Sequence, residues 1–292
     1  MNAKQFCIFL LGFLALTVCA HVALDRLLAP VAPKSPQRIV SLAPNVTEIL
    51  YALGLGPQVV GVSDFCAYPP EVKDKPKVAG FSDINFEALL RTRPDLVVLL
   101  LDRQRNRRNL ERLGLASLAL DTRSIPGLMG AIETLGQAAG RVKEAESLLA
   151  SIRQALAAAE EKAAGKERPR VLFSVMHSYQ GLGYINEVVA VGKDGFFDAM
   201  IRAAGGQNVY EGSLAFPRLS RESLFFLNPE IIVDVISPHE DIEAARRDWN
   251  SLRSVRAIRN QRLILLTDEA DTVPGPRFVN TVTRLSQAFH PD

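Results

Sequence analysis

A chain of 292 residues exceeds what one hydrophobic core usually organises, so two lobes of ordinary globular size are expected. With 48% hydrophobic and 23% charged residues, the body has enough apolar material to fold and too little charge to be disordered. The formal net charge of +2 leaves no broad basic field for phosphate backbones, which argues against a nucleic-acid partner.

The chain opens with Lys4 ahead of an apolar run from Phe6 to Ala20, with Val18 and Ala20 as small residues before a cut. This pattern reads as an export signal over residues 1–20 and places the mature protein in the periplasm. The run is about fifteen residues against the roughly twenty needed to span a bilayer. Val22, Ala23 and Leu24 extend it towards an uncleaved anchor, and Cys19 offers a lipid-attachment route, so membrane tethering stays open. Of three cysteines, Cys7 and Cys19 lie in this segment, and a chain cut after Ala20 keeps Cys66 alone and forms no internal disulfide.

Ala29 to Gln37, rich in proline and polar side chains, suits a linker, which is placed at residues 21–37. The first lobe, 38–127, follows. Arg38 to Leu42 is a short apolar run, Asn45 and Glu48 have the spacing of a capping box, and Gly54 closes the helix between them and the strand Val59 to Val62. A second cycle places a helix at Phe86 to Arg91, a stop at Pro94, and a strand at Leu96 to Leu101 whose unbroken apolar run fits a buried parallel sheet. Apolar residues then recur at helical spacing across a bridge, 128–166, with Gly136 and Gly140 as places for a break. Its part from Val142 to Ala164 is roughly 34 Å long at 1.5 Å per residue. Strand and helix alternate again over 167–292: Val171 to Met176, Phe196 to Ala204, and Ile231 to Ile236. The fold class is therefore α/β, two Rossmann-like lobes with parallel sheets, a long rigid helix between them and a ligand cleft where they meet.

One short motif occurs in both halves. Glu87 lies seven residues before Pro94 and a strand, and Glu222 lies seven residues before Pro229 and a strand. Lobes of like design related by an approximate two-fold follow from this. An acidic residue in a first helical turn also has a local reason, about 0.3 to 1 kcal/mol from the positive helix end.

Taken together, RIVSLAPNVTEILYALGLGPQVVGVSDFCAYPPEV from Arg38, FEALLRTRPDLVVLL, AGGQNVY, FPRLSRESL and PGPR resemble the periplasmic binding proteins for vitamin B12 and iron chelates. The resemblance runs from about residue 37 to the end. It implies an importer subunit, a monomer that hands a metal chelate (a corrinoid or an iron complex such as a siderophore or haem) to a dimeric ABC permease with its ATPase subunits. It further implies that Glu87 and Glu222 dock on that permease, one per lobe, as a pseudo-symmetric protein meeting a symmetric dimer requires. No cofactor is implied besides the transported solute.

Loops at the carboxyl ends of parallel strands face the crevice, which singles out Phe65 and Tyr68, then Phe81, then Phe216 in the second half. The resemblance gives Phe65, Phe81 and Phe216 the role of faces that pack on a planar macrocycle. His177 and Tyr179 follow the first strand of the second lobe and His239 follows a later one, as ligand contacts or metal ligands. Arg103 heads a basic cluster that begins at a crevice edge and suits an anionic ligand. The loop from Asp268 to Arg277 departs from the cobalamin pattern, with Val273 where those relatives carry an arginine. A lone Cys66 is more often a small buried apolar group than a ligand.

Enzyme motifs are missing: the sequence holds no G-x-S-x-G, no H-E-x-x-H and no G-x-x-x-x-G-K-[ST]. Two alternatives share the fold, a membrane-tethered ligand-sensing domain and an exported two-lobed enzyme.

Overall fold

The computed structural model describes residues 35–80, 83–177, 183–236 and 241–291. The expected signal, most of the linker, Cys7, Cys19, Phe81, Tyr179 and His239 lie outside the described residues.

Five short strands make the first sheet: β1 (Ile39–Ser41), β2 (Val59–Ser63), β3 (Lys77–Ala79), β4 (Leu96–Leu100) and β5 (Ser117–Leu120). Their order is β3-β2-β1-β4-β5 and every pairing is parallel. Leu96 to Leu99 are fully buried because the sheet is covered on both faces, as their unbroken apolar run requires.

Helix α1 (Pro44–Ala52) follows β1 but does not carry the expected capping box. Pro44, whose ring sets a helical φ, starts the helix two residues early, so Ala43 is the N-cap with no side-chain cap. Asn45 instead donates from Nδ2 to Thr122 Oγ1 at 2.6 Å, and Glu48 turns inwards. Gly54 does close the helix, with φ +72.

The helices α2 (Phe86–Arg91) and α3 (Gln104–Arg112) complete the first lobe, and α4 (Ile125–Ala138) leads to α5 (Val142–Ala163). The break falls at Gly140, whose φ of +68 suits glycine. Gly136 stays helical for another reason: a Cβ there would lie 2.5 Å from the Ala145 Cβ, so its absence lets α4 and α5 pack closely. At 22 residues, α5 is roughly 33 Å long.

The second sheet contains β6 (Arg170–His177), β7 (Glu187–Ala190), β8 (Gln207–Asn208), β9 (Arg218–Ser220), β10 (Ile231–Val235) and β11 (Leu263–Leu266). Its order is β11-β10-β6-β7-β9, with β8 also pairing β6. The pairings of β6, β8, β10 and β11 are parallel, as expected, while β7 and β9 are added antiparallel. Around it lie α6 (Phe196–Ala203), α7 (Arg221–Leu227), α8 (Ile242–Asn250), α9 (Arg256–Arg259) and α10 (Phe278–Phe289).

One core cluster is continuous from Ile39 in β1, through Ile132, Leu149 and Ile152 of α4 and α5, to Phe173, Val233 and Phe289. Separate clusters fill the other faces, one around Leu89, Leu99 and Leu110, the other around Leu172, Ile232 and Trp249. At roughly 1.5 to 3 kcal/mol for each large apolar side chain buried, the shared cluster contributes to holding the two lobes together.

Candidate ligand cleft

A cavity of about 640 Å³ opens where the lobes meet. Its first-lobe wall comes from the segments after the carboxyl ends of all five parallel strands: Pro44 after β1, Phe65 and Tyr68 after β2, Gly80 after β3, Arg103 after β4, Thr122 and Arg123 after β5. This is the place that open parallel sheets reserve for ligands. Thr272, Val273, Pro274 and Arg277, after β11, form the second-lobe wall.

Phe65 is 57% exposed and Tyr68 42%, so both rings present apolar area to the cavity. The Arg277 guanidinium carbon lies 3.5 Å from the Tyr68 ring centroid. Nη2 of the same guanidinium donates to Glu48 Oε1 at 2.7 Å, and Nη1 lies 3.6 Å from Asp268 Oδ1. Burial alone would lower the Arg277 pKa, but the hydrogen bond and charge of Glu48, with Asp268 and Tyr68, hold it above the ordinary value. At the mouth, Arg123 donates to both oxygens of Asp121, at 2.9 and 2.6 Å. Those hydrogen bonds lower the Asp121 carboxyl pKa to about 2, so the pair keeps both charges and Arg123 its orientation.

The family model for a periplasmic binding protein matches residues 39–270. The chain belongs to this family. It is 29% identical over 266 residues to an uncharacterized ABC transporter substrate-binding lipoprotein of Bacillus subtilis, covering 89% of this chain and 82% of the relative. A cobalamin-binding protein of Halobacterium salinarum is 28% identical over 269 residues, 87% of this chain and 70% of that one. Among solved structures, a periplasmic heme binding protein from Pseudomonas aeruginosa superposes with a TM-score of 0.76 at 26% identity, covering 88% of this chain and 94% of the other.

In this binding protein the side chains singled out from sequence fall into three groups. Phe65, Tyr68 and Arg103 line the cleft. Phe216 is 54% exposed in the loop before β9 and is not among the cavity-lining residues. His177 is likewise not among the cavity-lining residues. Its side chain is fully buried, with Nδ1 2.8 Å from Asp234 Oδ2, and its ring packs edge-on against Trp249, whose Nε1 donates to the same carboxylate at 2.7 Å. A register shift in the β6–β7 pairing between Ser174 and Met176 accompanies this inward turn. Cys66 is buried, its sulfur 3.1 Å from both Thr47 Oγ1 and Ser63 Oγ.

Glu87 and Glu222 stand on the first turns of α2 and α7, helices capped alike by Asn85 and Ser220. Glu87 is exposed and pairs with Arg91 at 2.5 Å, one helical turn on. Glu222 accepts from Ser220 Oγ at 2.7 Å, and that bond, with its own backbone N–H, lowers its pKa.

Sequence reasoning missed Glu48, Asn45, Arg123 and Arg277 as cleft residues. PGPR was visible as a landmark, but nothing local to it indicates that its arginine crosses to a helix 229 positions away. Among the described residues, no helix is long and apolar enough to cross a membrane.

Proposed function

We propose that this chain is the exported solute-binding subunit of an ABC importer and carries a flat metal chelate, a corrinoid or an iron complex, in the inter-lobe cleft. The observation that carries the reading is the pair of half-exposed rings, Phe65 and Tyr68, in a cavity of about 640 Å³ at the strand carboxyl ends. A planar macrocycle covers such rings with apolar area and offset packing. Arg103 and Arg123 at the same wall suit carboxylate or catecholate groups on the ligand's edge. The names of the relatives support the class, since they bind cobalamin or heme. Phe81 is assigned to the ligand's first-lobe side beside Phe65, Phe216 with Tyr179 and His239 to its second-lobe side, and Glu87 and Glu222 to the permease. The role is non-catalytic.

Calorimetry with the mature protein against haemin, cyanocobalamin and ferric hydroxamate and catecholate siderophores tests the reading. Saturable one-to-one binding of one chelate class is expected. Failure of the whole panel to bind would overturn it and favour a tethered sensor of some other solute.

A further inference from the structure

An ion pair of low exposure joins the two lobes at the cleft. Glu48 belongs to α1 of the first lobe and Arg277 immediately precedes α10 of the second, and their side chains are only 4% and 20% exposed. Arg277 is held on two sides by the first lobe, by the Glu48 carboxylate at 2.7 Å and by the Tyr68 ring at 3.5 Å. Asp268 of its own lobe completes the enclosure.

The backbone of the second lobe is shaped to this pair. A Cβ on Gly275 would lie 2.6 Å from Glu48 Oε2, so a side chain at position 275 would have to displace the carboxylate from its present place beside the loop. Separating the lobes here would break this charge-assisted hydrogen bond and the Arg277 contact with the Tyr68 ring together. Partial opening therefore has little to gain, and the contact behaves as made or broken.

We propose that Glu48 and Arg277 form a latch between the lobes, setting the width of the cleft and seating Tyr68 as a ligand-facing ring. They are positioning residues: the pair fixes the wall against which the solute rests. The latch itself needs no knowledge of the solute, whereas its effect on binding rests on the reading of the cleft given above.

The test uses spin labels on cysteines placed at Lys73 and Arg253, exposed positions in the first and second lobes, with buried Cys66 left in place. Double electron–electron resonance on ligand-free protein should give one narrow inter-lobe distance distribution. Glu48→Gln, which keeps the shape and removes the charge, should broaden or lengthen it, and Arg277→Gln should do the same. Arg277→Lys, which keeps the charge but not the planar fork, should fall between Arg277→Gln and the parent, and it stands in if Glu48→Gln does not fold. With haemin and cyanocobalamin as probes, Glu48→Gln should speed dissociation about tenfold. Unchanged distances in folded Glu48→Gln and Arg277→Lys proteins would overturn the latch. If neither probe binds the parent, the cleft reading fails for these chelates, while the distances still decide the latch.

Discussion

Phe65 is more than half exposed, yet it lies in a concave wall between two lobes, where a second flat surface can cover it. At about 25 cal/mol per Å² of apolar area, losing one such ring contact is worth roughly 1.5 kcal/mol. Phe65→Ala should therefore weaken chelate binding about tenfold in calorimetry with little change in thermal stability. His177 makes the opposite case. Removing its ring leaves the Asp234 carboxylate, 0% exposed, with the Trp249 Nε1 hydrogen bond but without the imidazole whose Nδ1 lies 2.8 Å away. His177→Ala should cost about 2 to 4 kcal/mol in urea denaturation and leave chelate affinity unchanged. The difference between these residues shows what was readable. Phe65, Tyr68 and Arg103 were found because a loop after a buried strand faces the crevice whatever its other contacts. His177 has the same sequence setting, but a register shift in β6 turned it inwards, and no short-range pattern records such a shift.

At the scale of elements, α2 and α7 are the clearest repeat. Each begins after a side-chain cap and carries a glutamate in its first turn, at places the Glu to Pro spacing had already marked. If these turns meet the permease, Glu87→Lys with Glu222→Lys should abolish uptake in cells while the purified protein keeps its chelate affinity. Loss of affinity in the double variant would remove the docking assignment. The pair α4 and α5 depends on a different glycine from the one that breaks the helix. Gly136→Val would drive a branched side chain into Ala145 across the helix contact and should destabilise the protein by roughly 2 to 3 kcal/mol in thermal denaturation. Periodicity located both helices and both glycines, but telling a breaking glycine from a packing glycine requires the neighbouring helix. The capping box failed for a related reason: Asn45 and Glu48 had the right spacing, but Pro44 began the helix before them and both were drawn into contacts with distant segments.

For the whole molecule, two α/β lobes, a parallel first sheet and a connecting helix were legible, because long apolar runs and a 3.6-residue period survive in any context. The antiparallel β7 and β9 were not, being three or four residues each on the edge side of a sheet whose centre is parallel. Nor was the shared core legible. Its members come from both halves, and together with Glu48 and Arg277 they make the cleft a product of the assembled chain.

Trp249, the sole tryptophan, sits fully buried in the cluster that lines the far face of the second sheet, closed off by the same His177 and Asp234. Its emission is therefore an intrinsic reporter of that lobe's interior: it should shift to the red when the lobe unfolds and stay at the same wavelength when a colourless solute fills the cleft. A haem would still quench it across the distance by energy transfer, so the native chain distinguishes an absorbing cargo from a transparent one without any added dye.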